Sequence, residues 1–316
     1  MRYVIRADAS GAIGSGHVMR SSAIAEELIA RGEEVIFVGG YCEVPWLAVR
    51  IKGLGFSQTF SEVAGFNSDA NTDILILDSY FVPIDDEFIQ RRKWKAIVVI
   101  MDELTPSYVA DLFVHPGLSV KSKTISTAKI LAGPRYVPFR KSIKKNEKLE
   151  VRKKALEIIV VGGGVDSYNF AAAICGALKK NQSDFHAVIF TTRSELAQLD
   201  SRFTAVPIGS ELDKYAANAD LVFATASTTS LEFIAREVAI GIGCAVNNQE
   251  EYYMVLSSLG VASPIGRFVE DCWEIDQHEI DKLVNSNQFR ENLREKCANL
   301  IDLNGARRIV DEILRL

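Results

Sequence analysis

The sequence predicts an α/β protein built from two Rossmann-like domains that face each other across a cleft. Strand and helix patterns alternate along the whole chain, which is typical of parallel βα units. The chain has 316 residues, 48% of them hydrophobic, and is therefore long enough for two α/β cores. Each half also opens on the same plan of a strand, a glycine-rich turn and a helix, so we expect two domains of similar design.

The elements of the first half follow from short apolar runs separated by helical patterns. Strands are predicted near residues 2–6, 35–38, 74–78 and 96–101, with a shorter one near 111–114. An amphipathic helix joins the first two strands and has Gly32 as its C-terminal stop. We predict a domain over residues 1–138, followed by a linker over 139–154 that is rich in lysine and arginine.

The second half repeats this pattern. Strands are predicted near residues 157–161, 186–190, 220–224 and 239–244, with helices between them. Two further helical patterns, over 289–301 and 305–315, end the chain. We therefore predict a second domain over residues 155–316.

Composition narrows the classes of function. The net charge is −5, the pI is about 5.6 and no long basic run is present, so nucleic acid is not expected as a partner. No stretch approaches the ~18 apolar residues of a membrane-spanning helix, and no signal peptide opens the sequence, so we expect a cytoplasmic protein. The five cysteines form no CxxC pair and the four histidines share no metal-ligand spacing, which predicts reduced thiols and no metal site.

The turn after the first strand is the segment that says most about function. Its residues that bear on ligand binding are Arg6, Asp8, Gly11, Gly14, Gly16, His17 and Arg20. Glycines in such a turn let a ligand approach the backbone, and the following helix N-terminus attracts anions. The helix dipole disfavours a protonated imidazole at His17, which suits a neutral general base. An ordinary turn with a solvated histidine is the alternative interpretation.

Further polar residues follow other strands, at the sheet edge where open α/β folds bind ligands. In the first half they are Asp78, Tyr80, Asp102 and Glu103. In the second half they are Gly162, Gly163, Gly164, Asp166, Ser227, Thr228, Thr229, Ser230, Asn247, Asn248 and Gln249, with Glu232 placed to reach a ribose diol. Neutral donors in one half and acidic groups in the other suit a nucleotide diphosphate bound beside a reaction centre. Plain turn and helix-cap chemistry is the alternative, and the Asp102–Glu103 pair lacks a third ligand for a divalent ion.

These residues form motifs that follow one another along most of the chain. They are Arg6-x-Asp8-x-Ser10-x-x-Ile13-Gly14-x-Gly16-His17-x-x-Arg20, Asp78-x-Tyr80, Asp102-Glu103, Gly133-x-x-Tyr136 with Arg140, Gly163-Gly164-x-Asp166, Ser227-x-Thr229-x-x-Glu232, Asn248-Gln249 and Asp302-x-x-Gly305-Ala306-x-Arg308. In this order and spacing, the set resembles the UDP-sugar hydrolases of pseudaminic acid biosynthesis and the related spore-coat polysaccharide proteins. An ordered set of motifs is far more specific than one glycine loop.

The resemblance implies a glycosyltransferase-B fold whose C-terminal domain binds UDP, and a UDP-2,4-diacetamido-2,4,6-trideoxyhexose as substrate. Water would attack the anomeric carbon without a metal or other cofactor, with His17 as base and Tyr80 and Asn248 orienting substrate or water. The sugar contacts that it implies are Arg6, Asp8, Gly14, Gly16, Arg20, Asp78, Asp102, Arg140 and Gln249. The nucleotide contacts are Gly163, Gly164, Asp166, Ser227, Thr228, Thr229 and Glu232.

Departures from the family pattern leave the exact sugar open. Val114-His115-Pro116-Gly117 stands where the family commonly has an Asn-rich stretch, and Ala226 replaces a glycine of the nucleotide motif. Three alternative functions also stay open: a glycosyltransferase with the same UDP site, an NAD-dependent oxidoreductase, and a non-catalytic nucleotide-sugar sensor. The oxidoreductase is disfavoured because the glycine order after the first strand differs from G-x-G-x-x-G.

Overall fold

The computed structural model describes residues 1–11, 13–79, 82–102, 109–118, 128–146, 151–209, 212–298 and 300–316. The chain divides into two compact units. Unit 1 comprises Met1–Lys141 and Leu303–Leu316, and unit 2 comprises Ser142–Asp302.

Unit 1 is built around a parallel sheet. Its elements before residue 141 are β1 (Arg2–Ala7), α1 (Gly16–Ala30), β2 (Glu34–Val38), α2 (Pro45–Gly53), β3 (Gln58–Phe60), β4 (Asp73–Asp78), β5 (Ala96–Ile100), β6 (Leu112–His115) and β7 (Lys129–Ala132). The described strands lie in the order β3-β2-β1-β4-β5-β6-β7. β4 and β5 are buried along their full length, as expected for parallel strands covered on both faces. The strand order reverses between β1 and β4, where Ala7 pairs with Asp78, and such a point is where open sheets bind ligands.

Unit 2 repeats this architecture. Its elements are β8 (Glu157–Val161), α3 (Phe170–Lys180), β9 (His186–Phe190), β10 (Phe203–Val206), α4 (Leu212–Ala216), β11 (Leu221–Thr225), α5 (Thr228–Ala235), β12 (Ala239–Cys244), α6 (Glu250–Ser258), β13 (Ser263–Val269), β14 (Cys272–Ile275), α7 (Gln277–Asn285) and α8 (Asn287–Cys297). The described strands lie in the order β10-β9-β8-β11-β12-β13-β14, and only the β13–β14 pair among them is antiparallel. The switch point of this sheet lies between β8 and β11. Two Rossmann-like units confirm the α/β fold class.

The last helix, α9 (Gly305–Ile313), belongs to unit 1, whereas the domain expected from the sequence placed it with residues 155–316. The chain returns to unit 1 at this helix because the apolar face of α9 is buried there and because Gly305 packs directly on the backbone of Val137. A Cβ at Gly305 would lie 1.9 Å from the Val137 carbonyl oxygen, so no other residue fits. An ion pair of 2.7 Å between Arg31 of α1 and Asp311 fixes the helix further.

The segment expected to be a linker, residues 139–154, is divided between the two units. In unit 1, the Lys141 amide donates to Glu26 of α1 at 2.7 Å. In unit 2, the Asn146 amide donates to the Arg236 carbonyl at 3.1 Å and its side chain to the Ala216 carbonyl at 2.7 Å. The described part of this segment is therefore packed against each unit in turn. No helix among the described residues is long and apolar enough to cross a bilayer.

Candidate active site

A buried ionic cluster lies at the carboxyl end of β4 in unit 1. The His17 Nδ1 atom is 2.6 Å from Asp78 Oδ1. Arg20 donates to both oxygens of the same carboxylate, from Nη2 to Oδ1 and from Nε to Oδ2, each at 2.7 Å. Ser21 Oγ adds a third donor at 2.9 Å, and Arg20 Nη1 reaches Asp102 at 2.5 Å. The Asp78 side chain is fully buried within this set of partners.

The sequence builds this cluster from one helix face and two strand ends. Residues 17, 20 and 21 are spaced by three and four along α1, so their side chains lie on one face of the helix. Asp78 ends β4, and Asp102 follows β5, its neighbour in the sheet. Ser21 belongs to the cluster but to none of the motifs in the sequence. The spacing of a serine four residues after a histidine on a buried helix face is the signal that identifies it.

The Asp78 carboxyl is ionised at neutral pH despite its burial. Burial by itself would raise the pKa of Asp78, but the Arg20 charge and the contact with His17 outweigh it and lower the pKa to about 2. Burial also opposes the charge on Arg20, yet Asp78 and Asp102 raise the pKa of Arg20 well above its usual value. The two buried charges therefore depend on each other, and removal of Asp78 would leave Arg20 paired with the partly exposed Asp102.

An ionised Asp78 determines which nitrogen of His17 holds the proton. A carboxylate only accepts hydrogen bonds, so the proton of the neutral ring lies on Nδ1 and the lone pair on Nε2. A histidine held in one tautomer and orientation by a carboxylate is the arrangement of a general base. The cluster can therefore take a proton from water or from a hydroxyl group.

The contacts of Arg20 and Asp78 differ from the sugar contacts that the resemblance implies. Both oxygens of Asp78 accept from protein donors, and the guanidinium of Arg20 is engaged by Asp78 and Asp102. These bonds favour a role in holding His17 over direct contact with a ligand. Asp102 is more exposed than either, with 28% of its side chain accessible.

Arg6 and Asp8 also bond within the protein, and they fasten two neighbouring turns together. Arg6 Nη1 donates to Asp8 Oδ1 at 2.5 Å, and the Gly40 amide donates to the same oxygen at 2.8 Å. The turn after β1 is thereby tied to the turn after β2. This tie holds in place the chain that leads into α1 and His17.

The glycines of the first turn have different functions. Gly14 has a φ of +75°, which other residues rarely adopt, and its amide donates to the Ser10 carbonyl at 2.9 Å. Gly16 is the first residue of α1. Arg140 is buried near the end of the first segment of unit 1. Tyr80 and Glu103, which the sequence analysis also singled out, lie outside the described residues.

In unit 2, the turn after β8 is closed by its own aspartate. Asp166 accepts hydrogen bonds from the amides of Phe170 at 2.9 Å and Ala171 at 3.3 Å. Its carboxylate therefore occupies the N-terminus of α3, the position that a phosphate would take. Burial raises the pKa of Asp166 to about 6, although these hydrogen bonds and the charge of Arg193 act to lower it. These contacts favour helix capping by Asp166 over the nucleotide contact that the resemblance implies.

The neighbouring glycines fit this closed turn. A Cβ at Gly162 would lie 2.0 Å from Asp166 Oδ1, so the carboxylate packs where a side chain would stand. Gly163 has a φ of +96° and lies near the end of β11, since its Cβ would be 3.8 Å from Thr225 Oγ1. Gly164 is partly exposed in the same turn.

The turn after β11 leads into a helix whose first amides are not capped by a side chain. Ser227 precedes α5 and makes no side-chain cap, and Ser227, Thr228 and Thr229 are all partly exposed. Ser230 is fully buried, and its hydroxyl donates to the Ser227 carbonyl at 2.7 Å, so it is a structural residue. Glu232 is partly exposed in the first turns of α5. Hydroxyls and the amides at the start of α5 can together bind an anion.

The two amide side chains after β12, those of Asn248 and Gln249, have different surroundings. Gln249 Oε1 accepts from the Ala245 amide at 2.8 Å and so closes the 3-10 turn Asn247–Gln249. Asn248 is exposed on that turn. Among the described residues, no group of three or more His, Cys, Asp and Glu side chains is arranged to hold a metal ion.

One curated protein from Campylobacter jejuni, "UDP-2,4-diacetamido-2,4,6-trideoxy-beta-L-altropyranose hydrolase", is 23% identical over 190 residues, which cover 58% of this chain and 67% of that protein. No protein-family profile matches the sequence.

Solved structures resemble the chain over its full length. MurG of Acinetobacter baumannii has a TM-score of 0.69 at 13% identity, with all of both chains covered. The spinosyn forosaminyltransferase SpnP has a TM-score of 0.68 at 11% identity, again with all of both chains covered. An Arabidopsis thaliana protein solved with UDP-L-rhamnose has a TM-score of 0.68 at 11% identity, over 99% of this chain and 98% of its own. The chain therefore has the glycosyltransferase-B fold, with two Rossmann-like domains.

Proposed function

We propose that the protein is a hydrolase that cleaves a UDP-sugar into UDP and the free sugar. The observation that supports this most is the His17–Asp78 pair, at 2.6 Å and buried at the switch point of the unit 1 sheet. It provides a base of fixed tautomer, and hydrolysis needs a base for water. The similarity to the Campylobacter jejuni hydrolase supports the same reaction and suggests a 2,4-diacetamido-2,4,6-trideoxyhexose as the sugar.

In the proposed reaction, His17 Nε2 takes a proton from water as the water oxygen attacks the anomeric carbon. The bond between that carbon and the diphosphate oxygen breaks, and UDP leaves with the bonding electrons. Glycosidases commonly need a second carboxyl group to protonate an alkoxide, but UDP is a far better leaving group. Hydrogen-bond donors on the departing diphosphate can therefore replace the acid.

We assign UDP to unit 2, with the diphosphate at the start of α5. Ser227, Thr228 and Thr229 leave amides and hydroxyls accessible there, whereas Asp166 occupies the start of α3. Glu232 lies one turn into α5 and is assigned to the ribose hydroxyls. Asn248, exposed after the neighbouring β12, and Tyr80 are assigned to the sugar or the attacking water, as the resemblance implies.

A glycosyltransferase is the second candidate, since the solved structures with this fold include the calicheamicin glycosyltransferase CalG4 and the spinosyn forosaminyltransferase SpnP. The two functions differ in whether a hydroxyl acceptor is needed. We expect UDP release from at least one member of a panel of UDP-sugars without any acceptor. Release that requires an added sugar or lipid acceptor would favour the transferase.

Replacement of Glu232 tests the nucleotide assignment. We expect Glu232→Ala to weaken UDP binding by about ten- to a hundred-fold, since a lost hydrogen bond to a charged group costs roughly 1.5–3 kcal/mol. Inorganic pyrophosphate lacks the ribose, so its affinity is expected to change little. Titration calorimetry measures both ligands. Glu295→Ala, at an exposed position on α8, is the matched control. An unchanged UDP affinity would contradict the ribose assignment.

A further inference from the structure

The His17–Asp78 pair raises an electrostatic problem that its geometry alone does not solve. A carboxylate 2.6 Å from an imidazole stabilises the protonated ring, and in a buried site this attraction is strong. A ring that is already protonated cannot take a proton from water. A cation beside the pair would weaken this attraction and leave the ring free to accept a proton over a wider range of pH.

Arg20 is placed to act as that cation. It donates to both Asp78 oxygens at 2.7 Å, and its Nη2 atom lies 3.3 Å from His17 Nδ1. Only 6% of its side chain is exposed, so water screens its charge weakly. A single guanidinium thus neutralises the carboxylate and stands beside the ring that the carboxylate orients.

Three other described charges lie at this sheet edge, those of Asp102, Arg6 and Asp8. Asp102, after β5, bonds to Arg20 and is partly exposed. At the end of β1, Arg6 and Asp8 form their own ion pair at 2.5 Å and compensate each other. Asp78 on β4 lies 2.6 Å from the His17 ring and Arg20 on α1 lies 3.3 Å from it.

We infer that Arg20 is a positioning residue that offsets the charge of Asp78 beside the His17 ring while it holds Asp78 as the hydrogen-bond acceptor of that ring. Asp78 sets the tautomer of the ring, and the positive charge of Arg20 opposes the attraction that Asp78 exerts on a proton of the ring. The inference rests on the proposed role of His17 as the base. It assigns to Arg20 an electrostatic function in place of the sugar contact that the resemblance implies.

The test is the pH at which the His17 ring protonates, followed by NMR on protein with ¹³C-labelled histidine. The chain has four histidines, so the His17 signal is the one that disappears in His17→Asn. In Arg20→Gln, we expect the midpoint of this titration to move up by about one pH unit or more, because Asp78 then acts alone. The acidic limb of the kcat/KM profile is expected to move in the same direction, with KM changed less than kcat.

The matched control lies at the other end of the same two strands. Arg2 of β1 donates two hydrogen bonds, of 2.8 and 2.5 Å, to the carboxylate of the buried Asp73 of β4. Arg2→Gln breaks an equivalent Arg–Asp pair away from the ring and is expected to lower stability without moving the His17 midpoint. Arg20→Lys retains the positive charge but cannot donate to both Asp78 oxygens as the guanidinium does. Its His17 midpoint is therefore expected to differ less from the wild-type value than the midpoint of Arg20→Gln does.

A second variant covers the case in which Arg20→Gln does not fold. Asp102→Asn removes the negative charge that is bonded to Arg20. The positive charge of Arg20 is then less compensated, so the His17 midpoint is expected to fall. An unchanged His17 midpoint in Arg20→Gln would overturn the inference. If Arg20→Gln does not fold, an unchanged midpoint in Asp102→Asn would do the same. A shift in Arg2→Gln equal to that in Arg20→Gln would also overturn it. The NMR titration needs no substrate, so a wild-type protein that hydrolyses no UDP-sugar would refute the proposed function and leave this result to be judged separately.

Discussion

His17→Asn is expected to reduce turnover by at least ~10²-fold while UDP binding is retained. Asparagine is polar and of similar size, but it cannot accept a proton at neutral pH, so the substitution removes the base with little change in shape. UDP is assigned to unit 2, at the start of α5, and its affinity is expected to be unchanged in titration calorimetry. Steady-state UDP release measures the loss of turnover.

The control for this substitution is His278→Asn, at an exposed position on α7 of unit 2. It removes an imidazole from the same protein without touching the cluster, and full turnover is expected. Turnover retained in His17→Asn would exclude His17 as the base and with it the role given to Asp78.

Asp78→Asn is expected to have the largest effect on stability of the substitutions considered. Removal of one partner of a buried ion pair typically costs about 3–5 kcal/mol, because the remaining charge is left uncompensated. Here the remaining charge is Arg20, which is almost fully buried and would keep its bond to the partly exposed Asp102. The amide also presents a donor where His17 and Arg20 both need an acceptor, so turnover of the folded fraction is expected to fall as well. Urea unfolding at pH 7 measures the loss of stability.

The pH dependence of this loss follows from the folded-state pKa of Asp78. Since the pKa is lowered to about 2 in the folded protein, the ionised carboxyl stabilises the fold above its unfolded value of ~3.9, and this stability is lost as the pH falls through about 2. The stability difference between wild type and Asp78→Asn is therefore expected to be full at neutral pH and to shrink below pH ~4.

Asp73→Asn is the matched control, because Asp73 is also a fully buried carboxylate of β4 paired with an arginine. It should lower stability but leave the turnover of the folded fraction intact. Equal loss of turnover in both variants would mean that the effect of Asp78 is structural only.

The central strands are predictable from the sequence because each is a short, continuous apolar run. β8, β9 and β12 begin and end at the residues that the runs indicate. The strands predicted from the sequence do not include β3, β7, β10, β13 and β14, and in each of these most residues are partly or fully exposed. Strands of this kind lack the continuous buried apolar run by which the central strands are identified.

The place of α9 is also not predictable from local pattern. The apolar pattern of its sequence predicts a buried face but does not indicate which domain covers that face. What places it in unit 1 is the contact of Gly305 with the Val137 backbone and the pairing of Asp311 with Arg31, both of which join residues far apart in the chain.

For the site, the sequence predicts which residues gather but not how they bond. His17, Arg20 and Asp78 meet because each lies at the start of the first helix or at a strand end. Whether a side chain there faces a ligand or another side chain depends on directions that spacing does not give. The same is true of Asp166, whose position beside a glycine turn suggests a ligand contact while its carboxylate caps α3.

The most direct test of the central claim is to run the acceptor-free reaction in ¹⁸O-labelled water with excess EDTA. Attack by water at the anomeric carbon breaks the carbon–oxygen bond and puts the label in the sugar. Attack at phosphorus breaks the phosphorus–oxygen bond and would normally recruit a divalent ion. We expect label in the released sugar, none in UDP, and full activity under chelation. Label in UDP, or activity lost with EDTA and restored by Mg²⁺, would contradict the account and exclude His17-activated attack at carbon.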